Sequence, residues 1–248
     1  MERDRALSDA IDTVYDVFSR YLRPQRLEAS PAKDTTRIWA MLTAAPLRQL
    51  SGEKIGPYSG SAIYTIGSVA DYKHFLPRIL EEAAVGGAWL GTEPEVIAAR
   101  LNYAAWRGWP KPEVAALLDV FYAGWRCAMR QHPDTGADAE SWFCALAKLD
   151  EPVEAVLPEW IIEARGAKLV QLADFVRKLN VISALDYRSQ IYWHDVRAQV
   201  RASLIGFLTS LQVRSALAAA DGLTNEDDLW RVQLAEQAIS DFVSARPH

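Results

Sequence analysis

"KPEVAALLDVFYAGWRCAMRQHP", residues 111–133, decides the fold class. Its apolar side chains Val114, Leu117, Leu118, Phe121, Tyr122, Trp125 and Ala128 recur at spacings of three and four, which puts them on one stripe of an α-helix. Pro112 suits the first helical turn, where its missing N–H would have no intrahelical partner. Pro133 limits the far end. The same period runs outward in both directions. Leu7, Ile11, Val14, Phe18 and Leu22 form one stripe, and Leu169, Leu172, Val176 and Leu179 another. Val196, Val200, Leu204, Phe207 and Leu211 form a third, and Leu229, Val232, Ala235, Ile239 and Phe242 a fourth. Thr224 with Asp227 has the spacing of a short capping box, and Asp221-Gly222 reads as the stop of the preceding helix. Residues 33–44, 52–66, 92–106 and 138–149 carry weaker helical patterns. No alternating strand pattern with hairpin turns occurs.

The expected fold is therefore all-α, an irregular array of about ten packed helices. Short connectors give it a solenoid-like character, but no sequence period marks a true repeat. A single domain over 1–248 is expected, because no long polar linker interrupts the chain. The Gly/Pro-rich stretches near 86–94 and 132–137 are where it would divide.

Of the 248 residues, 50% are hydrophobic and 24% charged, enough to bury a sizeable core. The net charge is -5 and the pI about 5.5, which argues against a nucleic-acid partner. No run approaches the ~20 apolar residues that span a bilayer, so no membrane partner is expected. "MERDRALSDAIDTVYDVF" is charged throughout and does not read as a secretory signal. Two cysteines, Cys127 and Cys144, do not make a disulfide framework, and a cytoplasmic location follows as the expectation.

The densest polar stretch is "DYKHFLPRIL", residues 71–80. Within "TIGSVADYKHFLPRILEEA", residues 65–83, it resembles the signature of a large group of uncharacterised bacterial α-helical proteins. That signature runs Gly, three spacers, Asp, aromatic, basic, His, Phe, Leu, Pro, Arg. Ile66 stands where the group has Trp. "PLRQLSGEKIGPYSGSAIYTIG", "SWFCALAKLDEPVEAVLPEWI" and "IYWHDVRAQVRASLIGFL" resemble further segments of the same group. Many relatives carry a cysteine cluster where this chain has "RLEASPAKD", so a metal or redox role tied to that cluster does not carry over. The resemblance implies an α-helical fold and no particular activity.

Asp71, His74 and Arg78 are the candidate catalytic residues. Histidine titrates near neutrality, Asp71 would orient it and Arg78 would hold an anion. The structural alternative makes Asp71 an N-cap, Phe75 and Leu76 core residues, and Pro77 the first turn of a second helix. Trp106 and Trp109, in "NYAAWRGWPKP", are candidate binding anchors if exposed together and core residues if buried. "YWHD", residues 192–195, invites comparison with helical His-Asp metal phosphohydrolases. With only four histidines in the chain the ligand count is short, and no metal site or other cofactor is expected. The alternative there is an amphipathic helix with Trp193 packed and His194 and Asp195 in water. The acids of "TNEDDLW", residues 224–230, sit where they favour a helix dipole. No G-x-S-x-G elbow or Gly-rich phosphate loop is present.

The functional expectation is a non-enzymatic protein-binding module, in its concrete form an immunity or antitoxin-like protein whose acidic surface blocks a basic toxin. The alternatives are an enzyme of an unfamiliar helical type, with its site around Asp71, His74 and Arg78, and a sensor that holds a small ligand between helices.

Overall fold

A computed structural model describes residues 4–29, 34–85, 90–183 and 192–245. Among these residues twelve α-helices and five short 3-10 segments form, with no β-strand and only two isolated bridges, Ala29 with Ile66 and Ala62 with Ile66. The all-α expectation holds. The chain divides into two compact units, Met1–Cys127 and Ala128–His248. The stretch near 86–94 falls inside the first unit by number, and that near 132–137 begins just after the division.

The first unit is organised on α4. Helices α1 (Arg5–Phe18), α2 (Thr35–Leu42), α3 (Gly52–Ser59), α4 (Val69–Val85) and α5 (Pro94–Tyr103) precede α6 (Lys111–Met129). α4 packs against α1, α3, α5 and the 3-10 turn Leu47–Gln49, while α2 packs on α3. The α1 stripe Leu7, Ile11, Val14 and Phe18 is buried as expected, but Leu22 lies past the helix end and is exposed. On α6 the buried face is rotated from the expected one. Glu113, Ala116, Leu117, Val120, Phe121 and Trp125 are buried, whereas Val114, Leu118 and Tyr122 are only partly so.

α4 corrects the expected helix join. Pro77 does not open a second helix; it sits inside one continuous helix. Proline removes the N–H that would bond the Lys73 carbonyl. The helix continues because Phe75, Leu76, Pro77, Ile79 and Leu80 are all buried, and burial of that apolar face outweighs one backbone bond. Asp71 is not itself the N-cap. Ser68 Oγ accepts from the Asp71 N–H at 3.2 Å, and Asp71 Oδ2 accepts from the Ser68 N–H at 2.7 Å. This is a reciprocal capping box. Gly67 precedes it at φ +72, and a Cβ there would lie 3.2 Å from Asp71 Oδ2.

The second unit is organised on α8. It holds α7 (Ala139–Lys148), α8 (Ala167–Val176), α9 (Leu179–Ser183), α10 (Ala198–Leu208), α11 (Leu211–Ala219) and α12 (Glu226–Ser244). α12 packs against α8, α9 and α11, and α7 packs against α8. Phe143, Trp160, Phe175 and Trp193 form an aromatic core: Phe175 lies 5.0 Å from Trp160, 5.8 Å from Phe143 and 6.1 Å from Trp193, ring centre to ring centre. The N-cap of α12 is Asn225 rather than Thr224; its side chain accepts from the Asp227 N–H. α11 stops at Ala219 as expected, with Ala220 and Gly222 both left-handed. Of the expected stripe from Val196 to Leu211, Val196, Val200 and Leu204 are buried, but α10 ends with Leu208 buried in place of the expected Phe207, and Leu211 opens α11 exposed.

No single described helix is long and apolar enough to cross a membrane; the bent pair α10 and α11 meets that composition only when taken together, at 44°. Both cysteine thiols are buried, Cys127 in the first unit and Cys144 in the second.

Removing the ring at the centre of the second unit is the sharpest test of its core. Phe175→Ala is expected to cost about 3–5 kcal/mol in urea denaturation, with a ring-preserving Phe175→Tyr change costing less.

Candidate functional site

The signature residues divide between two intramolecular knots. Lys73 and Glu113, on α4 and in the first turn of α6, are both buried. Lys73 Nζ lies 2.8 Å from Glu113 Oε2 and 3.1 Å from the Tyr21 hydroxyl, which donates to Glu113 Oε1 at 2.7 Å. Arg20 closes the far side of the same carboxylate. Trp109 covers Lys73, whose Nζ is 3.9 Å from the ring centre. Burial pushes the Glu113 carboxyl up, but hydrogen bonds from Lys73, Tyr21 and Arg20 outweigh it and hold the pKa below the ordinary value. His74 belongs to this edge. Its Nδ1 faces the Tyr21 carbonyl at 2.8 Å, and since a carbonyl only accepts, Nδ1 carries the proton. The ring therefore does not take Asp71 as its orienting carboxylate at that nitrogen. Burial lowers the His74 pKa, with the Tyr21 bond opposing it.

Arg78 makes the second knot. Its Nε donates to the Leu50 carbonyl at 2.6 Å, Nη1 to Glu81 at 2.6 Å, and Nη2 to Glu82. Glu81 also accepts from the Tyr15 hydroxyl at 2.8 Å. Asp71, His74 and Arg78 share a helix, but their polar atoms turn to three different neighbours: the helix N-terminus, the segment after α1, and the loop before α3. Trp106 and Trp109 are not exposed together. Trp106 is buried and donates to Asn102, while Trp109 is half-buried over Lys73 and donates to the Ala104 carbonyl.

Sequence reading missed a third group in this unit. Arg100 on α5 is 9% exposed. It donates to the Gly60 carbonyl, and the Tyr64 ring lies 3.7 Å from its guanidinium carbon. Tyr64 in turn meets Tyr103 edge to face at 4.5 Å. Both tyrosines face solvent, Tyr64 at 46% and Tyr103 at 62% exposure. Gly91, at φ +99, lies against the backbone of Gly56 and Gly60, the residue whose carbonyl Arg100 holds, and a Cβ there would collide with the Gly56 carbonyl oxygen.

In the second unit a cleft of about 540 Å³ is lined by Asp138, Glu140, Gln171, Asp174, Arg177 and Lys178, among others. A charge relay borders it. The Asp134 N–H donates to His132 Nδ1, so Nε2 donates to Asp228 at 2.9 Å. Arg231 bridges Asp134 and Asp174, and Asp174 also pairs with Arg177. At "YWHD" the expected helix is absent, and residues 192–195 form turns. Trp193 is buried and donates to Glu140, while Asp195 pairs with His194 and with Lys148. Among the described residues no three His, Cys, Asp or Glu side chains converge as a metal site. No protein-family model matches the chain, and no curated protein or solved structure matches it.

Two outcomes follow from the first knot. Lys73→Met leaves the Glu113 carboxylate with Arg20 and Tyr21 but with no partner at Oε2, and is expected to cost about 2–3 kcal/mol, while the double change Lys73→Met, Glu113→Leu recovers most of it; a denaturation double-mutant cycle reads both. The Glu113 pKa is lower folded than unfolded, so its contribution is fully present above about pH 4.5 and is lost as pH falls below that. Glu113→Gln is expected to flatten that acid limb. His74 is also lower folded than unfolded, so the unfolded chain binds its proton first and stability declines as pH falls through 6.5. His74→Gln is expected to remove that component of the pH profile measured by thermal melts.

Proposed function

We propose that this chain is a non-enzymatic protein-binding module that works through the Tyr64–Tyr103 surface of its first unit. The observation that carries the reading is that pair. Two tyrosines in mutual contact stay exposed on a chain that buries most of its aromatic residues, and a cation lies under one of them. Tyrosines of this kind offer rigid contact area with a polar tip, the profile of interface anchors. The polar signature supports the same reading from the other side. Asp71, His74 and Arg78 each hold backbone or side-chain groups of their own unit, which is the work of a scaffold. In its more specific form the module is immunity or antitoxin-like, cytoplasmic, with the net charge of -5 favouring encounter with a basic partner.

Capture from native lysate with wild-type protein and with Tyr64→Ser, Tyr103→Ser tests it. The expected result is one stoichiometric protein held by the wild type and reduced at least about tenfold by a variant of unchanged helix content. Identical captured sets would remove this surface from the account.

A further inference from the structure

Arg100 is a buried cation whose charge is not balanced. Among the described residues no carboxylate pairs with it; the Gly60 carbonyl and the face of Tyr64 are its contacts. Its Nε is sealed from solvent and has no hydrogen-bond partner. The hydroxyls of Tyr72 and Ser59 are likewise buried without partners. Tyr72 lies within the field of Arg100, which opposes the rise that burial gives its pKa. Ser59 directly precedes the glycine whose carbonyl Arg100 holds. A buried guanidinium normally has its charge compensated, and an orphan donor at full burial is costly. Three such donors on neighbouring elements call for an acceptor with negative charge.

The cover over this site is strained. The Tyr64 N–H bonds the Ala62 carbonyl at 2.8 Å across Ile63, whose φ is +66. That is the rare form of a three-residue turn, and for a β-branched residue it is a sparsely populated conformation. Strain of this kind persists where surrounding structure holds it and where a second arrangement has a use. Tyr64 itself is half exposed, so its ring has solvent to swing into.

We infer that Arg100 is the floor of an oxyanion receptor covered by Tyr64, and that it takes a carboxylate or phosphate group when the Tyr64 ring moves aside. The guanidinium fork suits either group, and the Tyr72 and Ser59 hydroxyls supply further donors. The inference rests on the protein-binding reading only for the origin of the anion, which would then be a side-chain carboxylate, a chain terminus or a phosphorylated residue of the partner. A small-anion titration responds whether or not a partner exists, so its failure and the failure of the capture experiment are distinguishable.

Thermal melts of the full chain with inorganic phosphate, acetate or chloride at equal ionic strength make the test. Wild-type protein is expected to gain about 2–4 °C in midpoint at tens of millimolar phosphate or acetate over chloride. Arg100→Met is expected to lose that gain, which separates site binding from the general stabilising action of phosphate. Tyr64→Ala uncovers the guanidinium and is expected to reach the same gain at a several-fold lower anion concentration. A response to phosphate alone assigns a phosphoryl source, and one to acetate alone a carboxylate source. Equal responses in wild type and Arg100→Met overturn the receptor. Should Arg100→Met fail to fold, an anion response of Tyr64→Ala no stronger than that of the wild type overturns it.

Discussion

A lysine and a glutamate removed from water organise the first unit. Separately, either charge at that depth would cost several kcal/mol; together, with a phenol and an arginine completing the hydrogen bonds of the carboxylate, they are tolerable. The arrangement makes geometric demands. Arg20 and Tyr21 must follow α1 directly, Lys73 must face inward from the second turn of α4, and Glu113 must start α6. Three stretches far apart in sequence are thereby fixed to one point. The His74 bond to Tyr21 and the Arg78 bond to Leu50 then pin two neighbouring loops to the same helix. An apolar core would have packed these helices as well. The polar knot restricts which ends may meet, because a slipped arrangement would leave charges stranded.

The second unit solves its own problem differently. Its interior is aromatic, with Phe143, Trp160, Phe175 and Trp193 in contact, and its ionic groups are largely at the rim. His132, Asp134, Arg231 and Asp174 link the loop after α6 to α12 and α8. Gln171 reaches inward from α8 and satisfies three backbone groups, donating to the carbonyls of Gln131 and Ala137 and accepting from the Ala139 N–H. A single buried amide thus takes care of a loop that would otherwise hide unsatisfied peptide groups.

How much of this could be read beforehand depended on sequence separation. Helix periods, the stop after α11, the burial of the α8 stripe and that of the α12 stripe from Val232 to Phe242 were legible, because they involve neighbours three or four residues apart, although Leu229 at the head of α12 is only partly buried. Ser68 and Asp71 are also three apart, but an aspartate after a glycine turn satisfies the N-cap rule by itself, and only the folded geometry divides the role between it and the serine. Glu113 carries a local signal of its burial: it lies four residues before Leu117, in phase with the buried face. Its partner Lys73 lies 40 residues away, and nothing in either neighbourhood announces the other. Pro77 was read by its local rule, which tertiary burial overrode. Arg100, Tyr64 and Tyr103 come together only through folding, and Tyr64 was hidden in a stretch read as the tail of a helix.

The two cysteines give the chain a property that has nothing to do with its surface. One buried thiol lies in each half, in a setting that solvent reagents do not reach while the helices around it stay closed. Alkylation at Cys127 and at Cys144 is therefore gated by opening, and the ratio of the two rates compares how often each neighbourhood breathes. The protein carries two internal clocks, one in each unit, without any label having to be introduced.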